Sequence, residues 1–212
     1  MKPLITHRFP FEQAENAYRL ISENKEPYLG ILLKYNAENK ETDQTIKLTP
    51  SHNIKSDTRE PVVGMIGAGN FTGQVLLPAL KKTEVRLRSI ASGGGVSGTH
   101  MGRKFSFEQS TTDTEALFSD PQVNTLFITT RHNSHAHFVL QALKAGKHVF
   151  VEKPLCLTLQ ELNEITDIYD SQRTTHNAQL LMIGFNRRFA PHIVKMRELL
   201  ESVRTPKSLV VL

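Results

Sequence analysis

The sequence predicts an α/β protein: a doubly wound parallel sheet preceded by a short helix–strand extension. Three observations point there. From Pro61 onward, short apolar runs alternate with segments of helical period. A glycine-rich turn, Gly67-Ala68-Gly69-Asn70-Phe71-Thr72, follows the first of those runs and opens a helix. Strands alternating with helices require right-handed crossovers, which make neighbouring strands parallel.

In chain order, residues 1–36 read as a strand or loop, a helix and a strand. Pro10 suits a first helical turn, and Ala14, Ala17, Tyr18 and Ile21 recur at helical spacing. Tyr28 to Tyr35 is an apolar run of strand length. One helix and one strand make no core, so this piece must pack on something else. Residues 37–60 are polar and read as a linker, because so little apolar surface does not offset ordering entropy. A cofactor domain is expected over 61–200. Its strands are expected at Val62–Ile66, Val85–Ile90, Asn124–Thr129, His148–Val151 and Leu180–Gly184. Its helices are expected near 71–82, 97–104, 113–119, 135–145 and 158–170. Thr112-x-x-Glu115 and Thr158-x-x-Glu161 have the form of capping boxes, and Gly146 stands where a helix C-cap is wanted.

The 212 residues allow one good core, and 39% hydrophobic against 22% charged residues is a globular balance. No apolar run approaches the length of a membrane span, and the first 30 residues lack a signal peptide's apolar stretch. The expectation is therefore a cytoplasmic protein that does not engage a membrane. A single cysteine, Cys156, excludes an internal disulfide and reads as a small packing residue. Residues 1–60 hold nine basic and nine acidic side chains, so the net charge of +5 arises in residues 61–212, with 17 basic against 12 acidic. Those basic residues neither cluster nor interleave with aromatics, which argues against a nucleic-acid partner. An anionic cofactor accounts for the same excess.

The Gly67 turn sits where a phosphate loop must sit. The first glycine permits the tight turn, Gly69 lets backbone approach a pyrophosphate, and the helix amides around Asn70 and Phe71 face the anion. The third motif position is Thr72, with Gly73 beside it. A methyltransferase loop or a plain tight turn shares this pattern, but the strand–loop–helix setting favours a dinucleotide. Twenty residues after Thr72 stands Ser92, followed by Gly93, Gly94 and Gly95, and no Asp or Glu occurs from Val85 to Phe107. The carboxylate that reads the ribose of NAD is missing. Arg88, Arg103 or Lys104 is available to a 2′-phosphate, so NAD and NADP both remain open, as does a loop whose charge carries no meaning.

Two further segments end strands on the same side of a parallel sheet, where ligands bind. One is Thr129-Thr130-Arg131-His132-Asn133-Ser134-His135, and the other is Glu152-Lys153-Pro154. An ammonium at Lys153 can polarise a substrate oxygen, and Pro154 favours an extended conformation before it. An ordinary surface lysine is the alternative.

GAGNF after a strand, the T-x-x-x-x-H segment, AGKHVFVEKP and GFNRRFAPH occur in this order. Over about residues 61–200 the chain resembles the Gfo/Idh/MocA family of oxidoreductases. The resemblance implies an NAD(P)-binding Rossmann fold and hydride transfer to or from a sugar or polyol derivative. It places Lys153 near nicotinamide and substrate, with Glu152 and Pro154 shaping the same wall. It places Thr130 and His135 at the cofactor, whereas Arg131 and His132 depart from the family's Pro and Asn. Arg187 or Arg188 matches an arginine at the domain junction. The segment LITHRFPFEQAENAYRLI resembles the C-terminal tail of a zinc-type alcohol dehydrogenase, a fusion found in bacterial bi-domain oxidoreductases. This implies a middle piece of a longer protein, with residues 201–212 beginning a substrate domain that carries the family's acid/base and its subunit pairing. The piece alone is then expected to bind cofactor without turnover, and the full-length protein to form a homo-oligomer.

His132, His135 and His137 lie close in sequence, but no Cys, Asp or Glu joins them to complete a zinc site, and no metal is expected. His7 reads as a structural or surface residue. The alternative to an enzyme is a non-catalytic nucleotide-binding module or sensor, which leaves Lys153 without a purpose.

Overall fold

A computed structural model describes residues 4–35, 43–48, 60–173 and 179–206, and the chain divides into two units, Met1–Asp43 and Gln44–Leu212. In the first unit β1 (His7–Pro10) and β2 (Ile31–Lys34) pair in parallel, joined by α1 (Ala14–Glu23). Pro10 ends β1 with extended backbone (φ −55°, ψ 150°) and a 3₁₀ turn follows, so it does not occupy the helix's first turn as expected. Ala17 is buried, while Tyr18 and Ile21 remain exposed, as befits a helix with only two short strands to pack on.

The second unit is a seven-stranded sheet in the order β3-β6-β5-β4-β7-β8-β9. The strands are β3 (Thr45–Lys47), β4 (Val62–Ile66), β5 (Arg86–Ala91), β6 (Gln109–Thr111), β7 (Thr125–Ile128), β8 (His148–Val151) and β9 (Leu181–Ile183). All neighbours are parallel except β3, which runs antiparallel to β6. Every residue of the central β4 is buried, because helices cover both faces. Val63 and Met65 point to a cluster with Leu77, Ile90, Phe105 and Phe107, beneath α2 (Leu77–Leu80) and α3 (Val96–Phe105). Ile66 points to the other face, where Leu126, Val139, Leu143, Val151 and Ile165 pack beneath α5 (His135–Lys144) and α6 (Leu159–Arg173). The doubly wound parallel sheet expected from the alternating pattern is the observed architecture.

Two strands escape the sequence pattern. β6 is Gln-Ser-Thr, and β3 lies inside the stretch expected to be linker throughout. Neither shows apolar alternation, because backbone pairing holds them. Leu48 N–H donates to Glu108 O (2.8 Å), Thr112 N–H to Gln44 O (2.9 Å) and the Thr45 hydroxyl to Thr111 Oγ1 (2.9 Å). The helix after the phosphate loop contains a π turn, Thr72–Leu76, in which Leu77 N–H reaches back to Thr72 O. Pro78 lacks the N–H that α-helical register requires, and the register slips there.

Of the two capping boxes, that at Thr158 forms: Thr158 N–H donates to Glu161 Oε2 (3.0 Å) and Glu161 N–H to Thr158 Oγ1 (3.2 Å). The one at Thr112 does not form. Asp113 Oδ1 instead accepts from Glu115 N–H (2.9 Å) before α4 (Glu115–Ser119), the shorter Asx link winning. Gly146 follows α5 with φ +69°, as a C-cap glycine does. The last described helix is α7 (Pro191–Glu201), and residues 207–212, where a substrate domain was expected to begin, lie outside the described residues. Among the described residues no helix is long and apolar enough to cross a membrane.

Candidate functional site

β4 delivers Gly67 to the carboxyl end of the sheet with φ +109°, a backbone shape that L side chains rarely adopt. A Cβ there would stand 2.8 Å from the carbonyl carbon and oxygen of Thr129, so only hydrogen fits. Gly69 is the opposite case: nothing lies within 4 Å of its would-be Cβ, so its backbone faces open space. Asn70 and Phe71 are exposed in the first helical turn, and Gly73 N–H is already bonded back to Gly69 O (3.1 Å). The first-turn amides before it have no intrahelical acceptor, and the helix dipole adds positive potential. An open glycine backbone beside free helix amides fits a dinucleotide pyrophosphate.

Thr72 proves to be more than a departure from a third glycine. It is buried, and its hydroxyl donates to Thr129 Oγ1 (2.8 Å), which stands 3.1 Å from Gly67 O. The loop, its helix and the end of β7 are thereby tied into one cradle. The sequence placed Thr129 at the strand end that faces the ligand but gave it no role.

Thr130 Oγ1 pairs with Ser134 Oγ (2.7 Å) at the turn into α5. His135 corrects an expectation. It is fully buried, with Nδ1 2.7 Å from Pro154 O and Nε2 3.1 Å from Thr130 O, so it is not open to a cofactor. Its ring instead straps the segment after β8 to the end of β7. Both nitrogens being engaged, it is also removed as a metal ligand. Its neighbour His132 packs edge-on against it (5.6 Å between centroids), and no metal-holding group of His, Cys, Asp or Glu occurs among the described residues.

At the end of β5, Ser92 Oγ accepts from Gly98 N–H (3.0 Å), fastening the glycine loop to α3. The arginine and lysine expected to await a 2′-phosphate are misplaced. Arg88 lies in the amino-terminal half of β5, bonded to Glu108 (2.6 Å) and Asp120 (3.0 Å). Arg103 and Lys104 occupy the last turn of α3, about 10–12 Å along the axis from its start near Ser92. In the same network burial raises the Glu108 carboxyl, but bonds from Arg86 and Arg88 outweigh it and hold it below the usual glutamate range. Burial lowers Lys147, whose ammonium donates to the carbonyls of Asp120 (2.9 Å) and Val123 (2.6 Å). Cys156 packs half-buried against the core, and burial pushes its thiol up.

Glu152 turns its carboxylate over Gly184, whose would-be Cβ lies 2.8 Å from Oε1. Lys153, joined to Pro154 by a cis peptide bond, is exposed and lines a cavity of about 420 Å³ with Phe185, Asn186, Arg187 and Arg188. The structure thus brings Lys153 together with the junction arginines at the carboxyl ends of β8 and β9. A second cavity of about 530 Å³ is lined by Pro61, Val85, Asn124 and His148 together with Phe127 and Phe150. It opens on the sheet face toward the amino-terminal strand ends, away from the phosphate loop.

A family model described as an oxidoreductase family with an NAD-binding Rossmann fold matches residues 62–179. The inositol 2-dehydrogenase/D-chiro-inositol 3-dehydrogenase of Lactiplantibacillus plantarum is 33% identical over 144 residues, covering 66% of this chain and 39% of that protein. The levoglucosan dehydrogenase of Pseudarthrobacter phenanthrenivorans is 31% identical over 152 residues, covering 66% of this chain and 36% of that one. Among solved structures, a levoglucosan dehydrogenase in complex with NADH and levoglucosan matches with TM-score 0.59 and 26% identity, over 68% of this chain and 40% of the other. A 3-ketoreductase from Actinomadura kijaniata, in complex with TDP-benzene and NADP, matches with TM-score 0.59 and 25% identity, over 67% and 44%. The chain therefore spans about two-fifths of the length of the relatives it matches.

Proposed function

This chain belongs to the Gfo/Idh/MocA family of oxidoreductases, and from that membership we propose that it forms the cofactor half of an NAD(P)-dependent dehydrogenase acting on a sugar or polyol derivative. The observation that carries the reading is the placement of Gly67 and Lys153 at carboxyl ends of one parallel sheet, on β4 and β8, with only β7 between them. Gly67, Gly69, Asn70 and Phe71 hold the pyrophosphate, and Ser92 stands where the adenosine ribose is read. Thr130, Glu152 and Pro154 wall the nicotinamide end, with His135 behind them as the strap. When bound, the nicotinamide accepts or supplies the hydride. Lys153 steadies the substrate oxygen by its charge, and the tied cradle of Thr72 and Thr129 fixes the distance between binding and chemistry.

NAD and NADP are both accommodated in this reading, since β5 ends without a carboxylate and without an available cation. The names of the relatives, dehydrogenases of inositols and of levoglucosan, support the substrate class. We read residues 4–35, a parallel β1–α1–β2 unit, as the tail of an alcohol-dehydrogenase-like domain, and the complete enzyme as a cytoplasmic homo-oligomer. With no tryptophan in the chain, the test is emission from the reduced cofactor. NADH or NADPH should brighten on titration and saturate at micromolar protein. Emission unchanged for both nucleotides would refute the proposal.

A further inference from the structure

The loop that follows β5 is the part of the cofactor cradle where NAD and NADP differ. NAD offers a ribose 2′-hydroxyl there and NADP a 2′-phosphate, which brings about two further negative charges at neutral pH. Ser92 is held in one place. Its Oγ accepts from Gly98 N–H (3.0 Å), and a Cβ on Gly98 would stand 2.6 Å from that oxygen, so only glycine lets α3 come so close. The bond uses an oxygen lone pair and leaves the hydroxyl hydrogen to donate, which suits a ribose hydroxyl.

The backbone around Ser92 is committed to the loop itself. Gly95 N–H donates to Ser92 O (3.0 Å), Val96 N–H to Gly94 O (2.8 Å) and Thr99 N–H to Gly95 O (2.9 Å). Of the four first-turn amides of α3, those of Val96, Gly98 and Thr99 are thus engaged, and this helix start is not left open to a phosphate as the one after Gly69 is. Cations are held away as well. Arg88 stands about 13 Å before Ser92 along an extended strand, fastened there by Glu108 and Asp120. Arg103 and Lys104 lie at the far end of α3. On the neighbouring strand Thr111 O accepts from Ser92 N–H (3.1 Å), and the first charged side chain beyond it is the carboxylate of Asp113. Room for a side chain is nevertheless present. Nothing lies within 4 Å of a would-be Cβ on Gly93 or Gly94, and neither has the positive φ of Gly95.

We propose that this cofactor site prefers NAD to NADP and that Ser92 and Gly93 set the preference. Ser92 donates to the adenosine ribose, and glycine at position 93 withholds the cation that a 2′-phosphate needs. The proposal rests on the cofactor reading above and narrows its nucleotide. Gly93 and Gly94 are exposed, so water screens an unpaired phosphate and holds the discrimination to about tenfold.

The test compares NADH with NADPH by reduced-cofactor emission on the intact chain at about 0.1 M NaCl. NADH should bind about tenfold more tightly. Gly93→Arg should bring NADPH level with NADH or ahead of it, a change of about tenfold or more in the ratio, and about 0.5 M NaCl should shrink that change by screening the new charge. An unchanged Tm shows that the variant folds, and Gly94→Arg, built into the same open space, repeats the test if Gly93→Arg lowers it. Equal affinity for the two nucleotides in the parent chain, or tighter binding of NADPH, overturns the preference while leaving the cofactor reading intact. A folded arginine variant whose ratio stays that of the parent overturns the assignment to this loop. A chain that binds neither nucleotide overturns both proposals.

Discussion

At the scale of single residues, the site divides into positions whose identity announces them and positions that only the fold reveals. Gly67 and Lys153 are of the first kind, since a tight turn after a strand and a lysine before proline carry their meaning locally. Thr72, Thr129 and His135 are of the second kind, because their partners lie 57, 62 and 19 residues away. No local pattern encodes those distances. Arg88 was misread for a related reason: composition counts its charge, but its place along β5 points it to Glu108 and Asp120. Replacing Gly67 with alanine should cost about 1–3 kcal/mol through positive φ and collision with the Thr129 carbonyl, and should weaken NADH binding about tenfold or more. Urea denaturation and cofactor emission check the two halves of that outcome. Glu108 supplies a pH dependence. Its folded carboxyl is depressed, so its contribution is present above the unfolded value of about 4.3 and is lost as pH falls through the lower folded value. Glu108→Gln should lower stability at neutral pH by about 2 kcal/mol, leaving Arg86 and Arg88 short of a partner, and should flatten the acid limb of a stability–pH curve.

At the scale of elements, apolar strands and capped helices were legible, and polar strands were not. β4 is buried on both faces, whereas β7 and β8 alternate half-buried and buried positions, yet all three are largely apolar runs. β6 and β3 are three residues each, and their stability comes from backbone pairs that any sequence can make. The two capping boxes show how far a motif carries. Thr158 and Glu161 satisfy each other's amides, with Glu161 held low by bonds from Leu157 and Thr158, whereas at Thr112 an aspartate one residue later takes the role. Thr158→Ala should therefore destabilise the second unit by about 1 kcal/mol, and Thr112→Ala should do so by much less. Paired thermal melts decide between them.

At the scale of the whole molecule, the chain is two compact units, and the boundary falls at Asp43 rather than at Pro61 where the apolar alternation begins. A chain shortened to start at Gln44 should keep its sheet. One shortened to start at Pro61 loses β3 and should show faster deuterium uptake at the amides of β3's former partner strand, Gln109–Thr111, while those of β4 stay protected. Equal uptake in the two shortened chains would show that β3 protects nothing. The net charge of +5 belongs to the second unit, since residues 1–43 hold six basic against seven acidic side chains. The antiparallel edge also has a consequence in time. Thr45 meets Thr111 across 66 residues, and β4, β5 and β6 all follow β3 in the chain. During synthesis this edge strand is made before the strands that build its docking place, and it can seat only after β6 has emerged. Until then the outer edge of β6 is open to any passing strand, so the vulnerable interval for misassembly lasts from the translation of β6 until β3 closes on it.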